Sequence, residues 1–195
     1  MYAVRCLPVW LRNTATSPIV HVQPTTIYVY ISSGLGINVQ QGIRESIRTW
    51  NAALDPYRGS TVLPTFAETA ARCGGAYCIN MDVGTPSGSE CAGGPLTYDP
   101  STGEITSSNT YWPNAPFSWN LAFDQRTAAH ELAHHLGLQD NSSFCPSTSD
   151  GSVMKPVSCG AAPGNYPTSP TQSDYGPVVR STYGTQTSAT CPATD

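Results

Sequence analysis

His130-Glu131-Leu132-Ala133-His134-His135-Leu136-Gly137-Leu138-Gln139-Asp140 is the stretch that decides how the rest of this chain is read. His130 and His134 are four residues apart, so on a helix they lie one above the other on a single face. Two imidazoles so placed can grip one zinc ion, with Glu131 beside them in the position of a general base. Gly137 comes shortly after His134, where helices commonly end on a left-handed residue that glycine adopts without a Cβ clash. That reversal turns the chain back toward the histidines, and Asp140 falls where a third ligand is needed. Three protein ligands leave a fourth position for water, the arrangement of a catalytic rather than a structural zinc. His135 sits about 100° further round the helix than His134 and is expected to point away from the metal, solvated or structural.

Read together, HELAHHLGLQD and the later Ser152-Val153-Met154 resemble the metzincin signature, HExxHxxGxxH followed by a Met-turn. Asp140 takes the place of the third histidine. That substitution is similar to the snapalysins, while the rest of the domain resembles a matrixin. The resemblance implies an α+β fold. Its parts are a twisted mixed sheet with an antiparallel edge strand, two long helices, and a loop-rich C-terminal subdomain with a Met-turn and a short C-terminal helix. It further implies Met154 beneath the zinc, Lys155 to Cys159 as a wall of the primed-side pocket, and a peptide or protein substrate. The segment Glu104 to Tyr111 reads as a strand of alternating character. Resemblance makes it the edge strand above the cleft, with Ile105, Thr106, Ser107, Ser108 and Asn109 binding substrate through main chain; a plain hairpin is the alternative. The tyrosine that some metzincins carry two residues after the methionine is Pro156 here.

Composition sets the bounds. A chain of 195 residues is one domain with or without tails, long enough to bury a core. Only 11% of residues are charged, and glycine and proline number 17 each, yet four Trp and ten Tyr mark a globular rather than a disordered chain. A net charge of −4 with no basic run argues against nucleic acid or an anionic membrane as partner. No apolar run is long enough to span a bilayer. Seven cysteines point to an oxidising, secreted setting, and a monomer is expected. The start of the chain does not read as a signal peptide.

Taken in order, residues 1–24 read as a tail or pro-segment remnant, 25–184 as the catalytic domain and 185–195 as a polar tail. Arg5-Cys6-Leu7-Pro8 faintly resembles the pro-peptide switch of matrix metalloproteinases, although a disulfide or an idle thiol suits Cys6 better. Thr26 to Ile31 is a strand by its β-branched and aromatic content. Val39 to Leu54 is a helix, with Ile43, Ile47, Trp50 and Leu54 at helical spacing and Pro56 closing it. Leu63 to Glu68 and Ala76 to Val83 are strands, and Tyr98 to Gly103 is a turn. Disulfides are the default for Cys73, Cys78 and Cys91, and Cys145 is expected to pair with Cys159 across Met154. Asn120 or Asp124 caps the zinc helix, which runs to about Leu136 on Ala128, Ala129, Leu132, Ala133 and Leu136. Asn141 fits a glycosylation acceptor. Ser173-Asp174-Tyr175-Gly176-Pro177 opens a short helix packed by Val178, Val179 and Tyr183. Asp82 and Asp99 are available to calcium but lack a recognisable loop pattern.

Two other readings stand beside the metzincin one. An aspzincin takes a more distant aspartate, Asp150 or Asp174, as its third ligand. A non-catalytic module keeps the fold and the metal without turnover, yet here Glu131 is intact. A thermolysin-like site needs a downstream glutamate, and none follows Glu131.

Overall fold

The computed structural model describes residues 26–59, 63–86, 91–99, 105–113, 120–138, 151–154 and 167–179. Strand β1, Thr26–Ile31, is built wholly of β-branched and aromatic residues, which suit a pleated surface. Ile27, Val29 and Ile31 point to one side and are buried, while Tyr28 on the other side is 49% exposed. Helix α1, Ile37–Leu54, follows and starts two residues before the expected helix. Its stripe of Ile43, Ile47, Trp50 and Leu54 is buried as the spacing predicts. Pro56 lies in a 3₁₀ turn, Asp55–Tyr57, that continues the last helical turn.

The chain then returns as β2, Thr65–Thr69, parallel to β1. Asn51 of α1 holds this strand: its Nδ2 donates to Phe66 O (2.8 Å), and its Oδ1 accepts from Phe66 N (3.0 Å). Strand β3, Cys78–Val83, pairs parallel with β1 on the other side and is nearly buried throughout, as a central parallel strand should be. Strand β4, Leu96–Tyr98, and strand β5, Ile105–Trp112, complete a five-stranded mixed sheet in the order β2-β1-β3-β5-β4. Only β4 is antiparallel. Among the described residues the architecture is α+β, with the expected mixed sheet, antiparallel edge and two long helices.

Helix α2, Leu121–His134, lies beside α1. One row along α1 sets how closely they approach. A Cβ on Gly42 would stand 2.7 Å from Gln125 N and 2.8 Å from the Asp124 carbonyl carbon, so only glycine fits there. Four residues on, Ser46 Oγ lies 2.8 Å from Gly42 O and 2.7 Å from Gln125 O, bridging the helices. Four further on, the Trp50 indole N–H donates to Ala129 O at 2.9 Å. This row presses α2 onto the core formed by the inner face of the sheet. Trp50 and Trp112 are fully buried within it, and removing a buried aromatic of this size costs about 3–5 kcal/mol.

Helix α3, Gln172–Pro177, is short. The helix opens earlier than Ser173: Thr171 is its cap, its N–H donating to the Asp174 carboxylate (2.8 Å) in a capping box, and Pro177 falls at the end of the helix. Val178 and Val179 are buried beyond it, as expected. The proposed tail boundaries, Tyr183 and the Tyr98–Gly103 turn beyond Asp99 lie wholly or partly outside the described residues.

Candidate metal centre

Helix α2 opens at Asn120, whose side-chain Oδ1 accepts from Phe123 N at 3.0 Å. Ala128, Ala129, Leu132, Ala133 and Leu136 are all fully buried, so this face is fixed to the core. His130 and His134 emerge on the opposite stripe, half-buried, while Glu131 between them is buried. The helix ends as its sequence requires. Gly137 has φ +87°, the left-handed region. Leu138 N donates to Ala133 O (3.2 Å) and Gly137 N to His134 O (3.0 Å), the paired bonds of a Schellman motif. Leu138 and Ala133 both belong to the buried core, where such an ending commonly carries an apolar contact.

This turn does more than stop the helix. It places the Leu138 carbonyl 2.8 Å from His134 Nδ1. The other ring is held in the same manner from further along the chain: His130 Nδ1 is 2.9 Å from Val153 O. A carbonyl oxygen can only accept, so both Nδ1 atoms carry the proton, and in a neutral ring the lone pair is then on Nε2. Orienting one imidazole nitrogen with a backbone carbonyl so that the other presents its lone pair is how metal-ligating histidines are held. The ring centroids are 4.8 Å apart and the planes nearly perpendicular. The pair fits a nitrogen-liking metal such as zinc.

Val153 is itself anchored. Asp174, 1% exposed, accepts from the Ser152 hydroxyl (2.5 Å) and from Val153 N (3.3 Å), while Ser152 Oγ accepts from Met154 N (3.0 Å). Burial raises the Asp174 pKa, opposed by these donors. Gly151 makes the turn at φ +66°, with Pro167 Cδ 3.2 Å from where a Cβ would stand. The carboxylate of Asp174, the aspzincin alternative for a third ligand, is engaged by the cap of α3 and by the Ser152–Met154 turn. Met154 is buried beside Val153 in the core. Among the described residues no group of three or more His, Cys, Asp and Glu comes together to hold a metal. Asp140, Asp150, Lys155 to Cys159, Cys6, Asn141 and the Cys145–Cys159 pair all lie outside those residues.

The expected substrate strand needs correction. Ile105–Asn109 belong to β5, which lies between β3 and β4 rather than at the edge. Its side chains are engaged inward or sideways. Ile105 is fully buried, and Thr97 Oγ1 of β4 meets Thr106 Oγ1 (3.0 Å) and Ser107 Oγ (2.7 Å). Asn109 Oδ1 accepts from Asn80 Nδ2 and Arg72 Nη2, both at 3.3 Å. The alternation expected of this strand is broken as well. Tyr98 pairs with Ile105 and Thr97 with Ser107, so Thr106 is an extra residue and both Ile105 and Ser108 face the core. The antiparallel edge is β4, a three-residue strand hidden by its length. A signal for it existed in Gly93-Gly94: a Cβ on Gly94 would fall 2.0 Å from Asn109 O, so the glycine marks a close backbone approach.

His135 is structural and not solvated. It is 2% exposed, and its Nε2 lies 2.9 Å from Ser108 Oγ, itself 4% exposed. Cys73 and Cys78 pair with each other (Cα–Cα 5.7 Å), and Cys91 is disulfide-bonded as well. Asp82, weighed for calcium, lies 2.7 Å from Arg72 Nη1. Asp124 in the first turn of α2 is 2% exposed, its Oδ1 lacks a hydrogen-bond partner among the described residues, and burial pushes its pKa up to about 6. No helix among the described residues is long and apolar enough to cross a membrane.

No protein-family model and no curated protein matches the chain. Among solved structures it is similar to one of myroilysin at 16% identity, covering 60% of this chain and 50% of that one with a TM-score of 0.34. A crystal structure of myroilysin matches at 15% identity over 98% of this chain and 75% of that one, with a TM-score of 0.35. The chain thus spans about half the length of the first of these and three quarters of the second.

Proposed function

We propose that this chain is a secreted zinc endopeptidase of the metzincin kind. The observation that carries the reading is the matched pair of imidazoles on α2. Each has its Nδ1 committed to a backbone carbonyl, one from the turn at Gly137 and one from the turn before Met154, so both Nε2 atoms are the ligating nitrogens. His130, His134 and Asp140 are the residues that would hold the zinc, with Met154 as the methionine of the Met-turn. Bound there, zinc supplies a Lewis acid and a water whose pKa is lowered to about 7.

Glu131 is the general base. It takes the proton from the water whose oxygen adds to the scissile carbonyl, and then gives that proton to the amine nitrogen as the C–N bond breaks, leaving a carboxyl and an amine terminus. The substrate lies extended along β4, the sheet edge, pairing through main chain with Leu96 to Tyr98. Its partners are therefore peptides or proteins. The disulfides suit a secreted protein.

Cleavage of casein or a quenched peptide, with and without a chelator, tests the reading beside Glu131→Ala. Wild-type turnover lost to chelator and restored by zinc, together with a zinc-loaded but inactive Glu131→Ala, is the expected result. Turnover that survives either treatment contradicts it.

A further inference from the structure

We propose that Ser108 and His135 form a positioning pair that sets the spacing between the substrate-binding sheet edge and the metal-binding end of α2. The inference rests on the endopeptidase reading above. Ser108 has two roles that meet in one residue. Its backbone is in register with Ile79 of β3 on one side and with Leu96 of β4 on the other. Its hydroxyl meets the ring of His135, the residue next to His134, at 2.9 Å in a buried contact. One side-chain bond therefore ties the strand beside the substrate edge to the helix end that carries a metal ligand.

The surroundings show why a polar pair matters there. Ala128, Leu132 and Leu136 from the helix and Ile79 and Met81 from β3 are all fully buried in the same core. Apolar contacts of that kind are non-directional and permit small slips along the helix axis. A hydrogen bond weakens steeply outside a narrow range of distance and angle, so it fixes one register where packing alone allows several. Register with Ile79 of β3, a core residue, is what turns Ser108 toward the helix, and the bulge at Thr106 lets Ile105 face the same side. Displacement of the substrate by about 1 Å relative to the attacking water costs on the order of a hundredfold in rate.

The test compares wild type with Ser108→Ala, His135→Gln and the double variant Ser108→Ala/His135→Phe, all as full chains. In Ser108→Ala, kcat should fall about 10- to 100-fold with KM changed less than about threefold and zinc per chain unaltered. His135→Gln, which keeps a nitrogen near the Nε2 position, should recover to within about fivefold of wild type. The double variant replaces the polar pair by an apolar one, so it should fold as well as wild type and still show the kcat loss. In the metal-free protein, ring ¹⁵N shifts of His135 should move in Ser108→Ala while those of His130 and His134 stay in place. Variants with wild-type kcat, a double variant with kcat restored, or a rate loss matched by zinc loss each overturn the pair's role. A wild type that holds no zinc or cleaves nothing overturns the endopeptidase reading itself, and the pair's role falls with it.

Discussion

Replacing Asp174 should loosen both the C-terminal helix and the candidate metal centre, although Asp174 touches neither histidine. Its carboxylate accepts from Ser152 Oγ, Val153 N and Thr171 N, and all but the Thr171 contact are fully buried. Asp174→Ala leaves these donors without an acceptor. A buried donor left unmade costs about 1–3 kcal/mol, at the low end where water can enter, so the three together give about 3–5 kcal/mol. Asp174→Asn keeps the volume and one acceptor oxygen but turns an amide N–H₂ toward a donor, and about half that loss is expected. The second consequence is at a distance. Val153 N is bonded to Asp174 and Val153 O to His130 Nδ1, so freeing the turn frees the ring. Outer-shell losses of this kind weaken metal binding by about 10- to 100-fold. Urea unfolding of the metal-free protein reads the first effect, and a chelator competition titration with zinc reads the second. If Asp174→Ala loses less than about 1 kcal/mol, or keeps wild-type zinc affinity while destabilised, the link from Asp174 through Val153 to His130 is refuted.

Gly42→Ala should destabilise by about 2–3 kcal/mol in urea, because its Cβ would meet backbone of α2 at 2.7 and 2.8 Å and push the helices apart; an unchanged midpoint contradicts the close crossing. Gly137→Ala, at φ +87°, should cost about 1–2 kcal/mol and also weaken zinc binding by moving Leu138 O off His134. Wild-type zinc affinity in that variant would refute the turn's second role. For Asp124 the folded pKa is raised from 3.8 to about 6. Its protonated form therefore favours folding: that contribution is fully present below pH 3.8 and is lost as pH rises to about 6, a swing of at most about 3 kcal/mol. Asp124→Asn should flatten stability between those pH values and raise it at pH 7, less about 0.5 kcal/mol of helix-dipole attraction. A pH profile identical to wild type counts against the buried carboxylate.

Much of this fold was legible because its signals are local. Thr26 to Ile31 is a strand on side-chain shape alone, and its bounds agree with β1. The stripe of α1 and the glycine that ends α2 also follow from spacing and a single conformational preference. What escaped was non-local. Three residues, Leu96 to Tyr98, are too few to show a period, so the sheet edge was placed one strand inward, on Ile105 to Asn109. The bulge at Thr106 hid the change of face within β5 and with it the buried role of Ser108. His135 could not be told from a solvated histidine because its partner is 27 residues away. In the sequence Asp174 reads as an acid of a short helix and as an alternative third ligand, whereas in the fold it holds the Ser152–Met154 turn.

The most direct test of the account is the metal itself. Zinc content after exhaustive dialysis, measured together with X-ray absorption at the zinc edge, should give one zinc per chain. Two nitrogens at about 2.0–2.1 Å and protein oxygen at about 2.0–2.2 Å should surround it, with the ion lost in His130→Ala, His134→Ala and Asp140→Ala alike. A protein that retains no zinc, or one that keeps it unchanged without either histidine, contradicts the account.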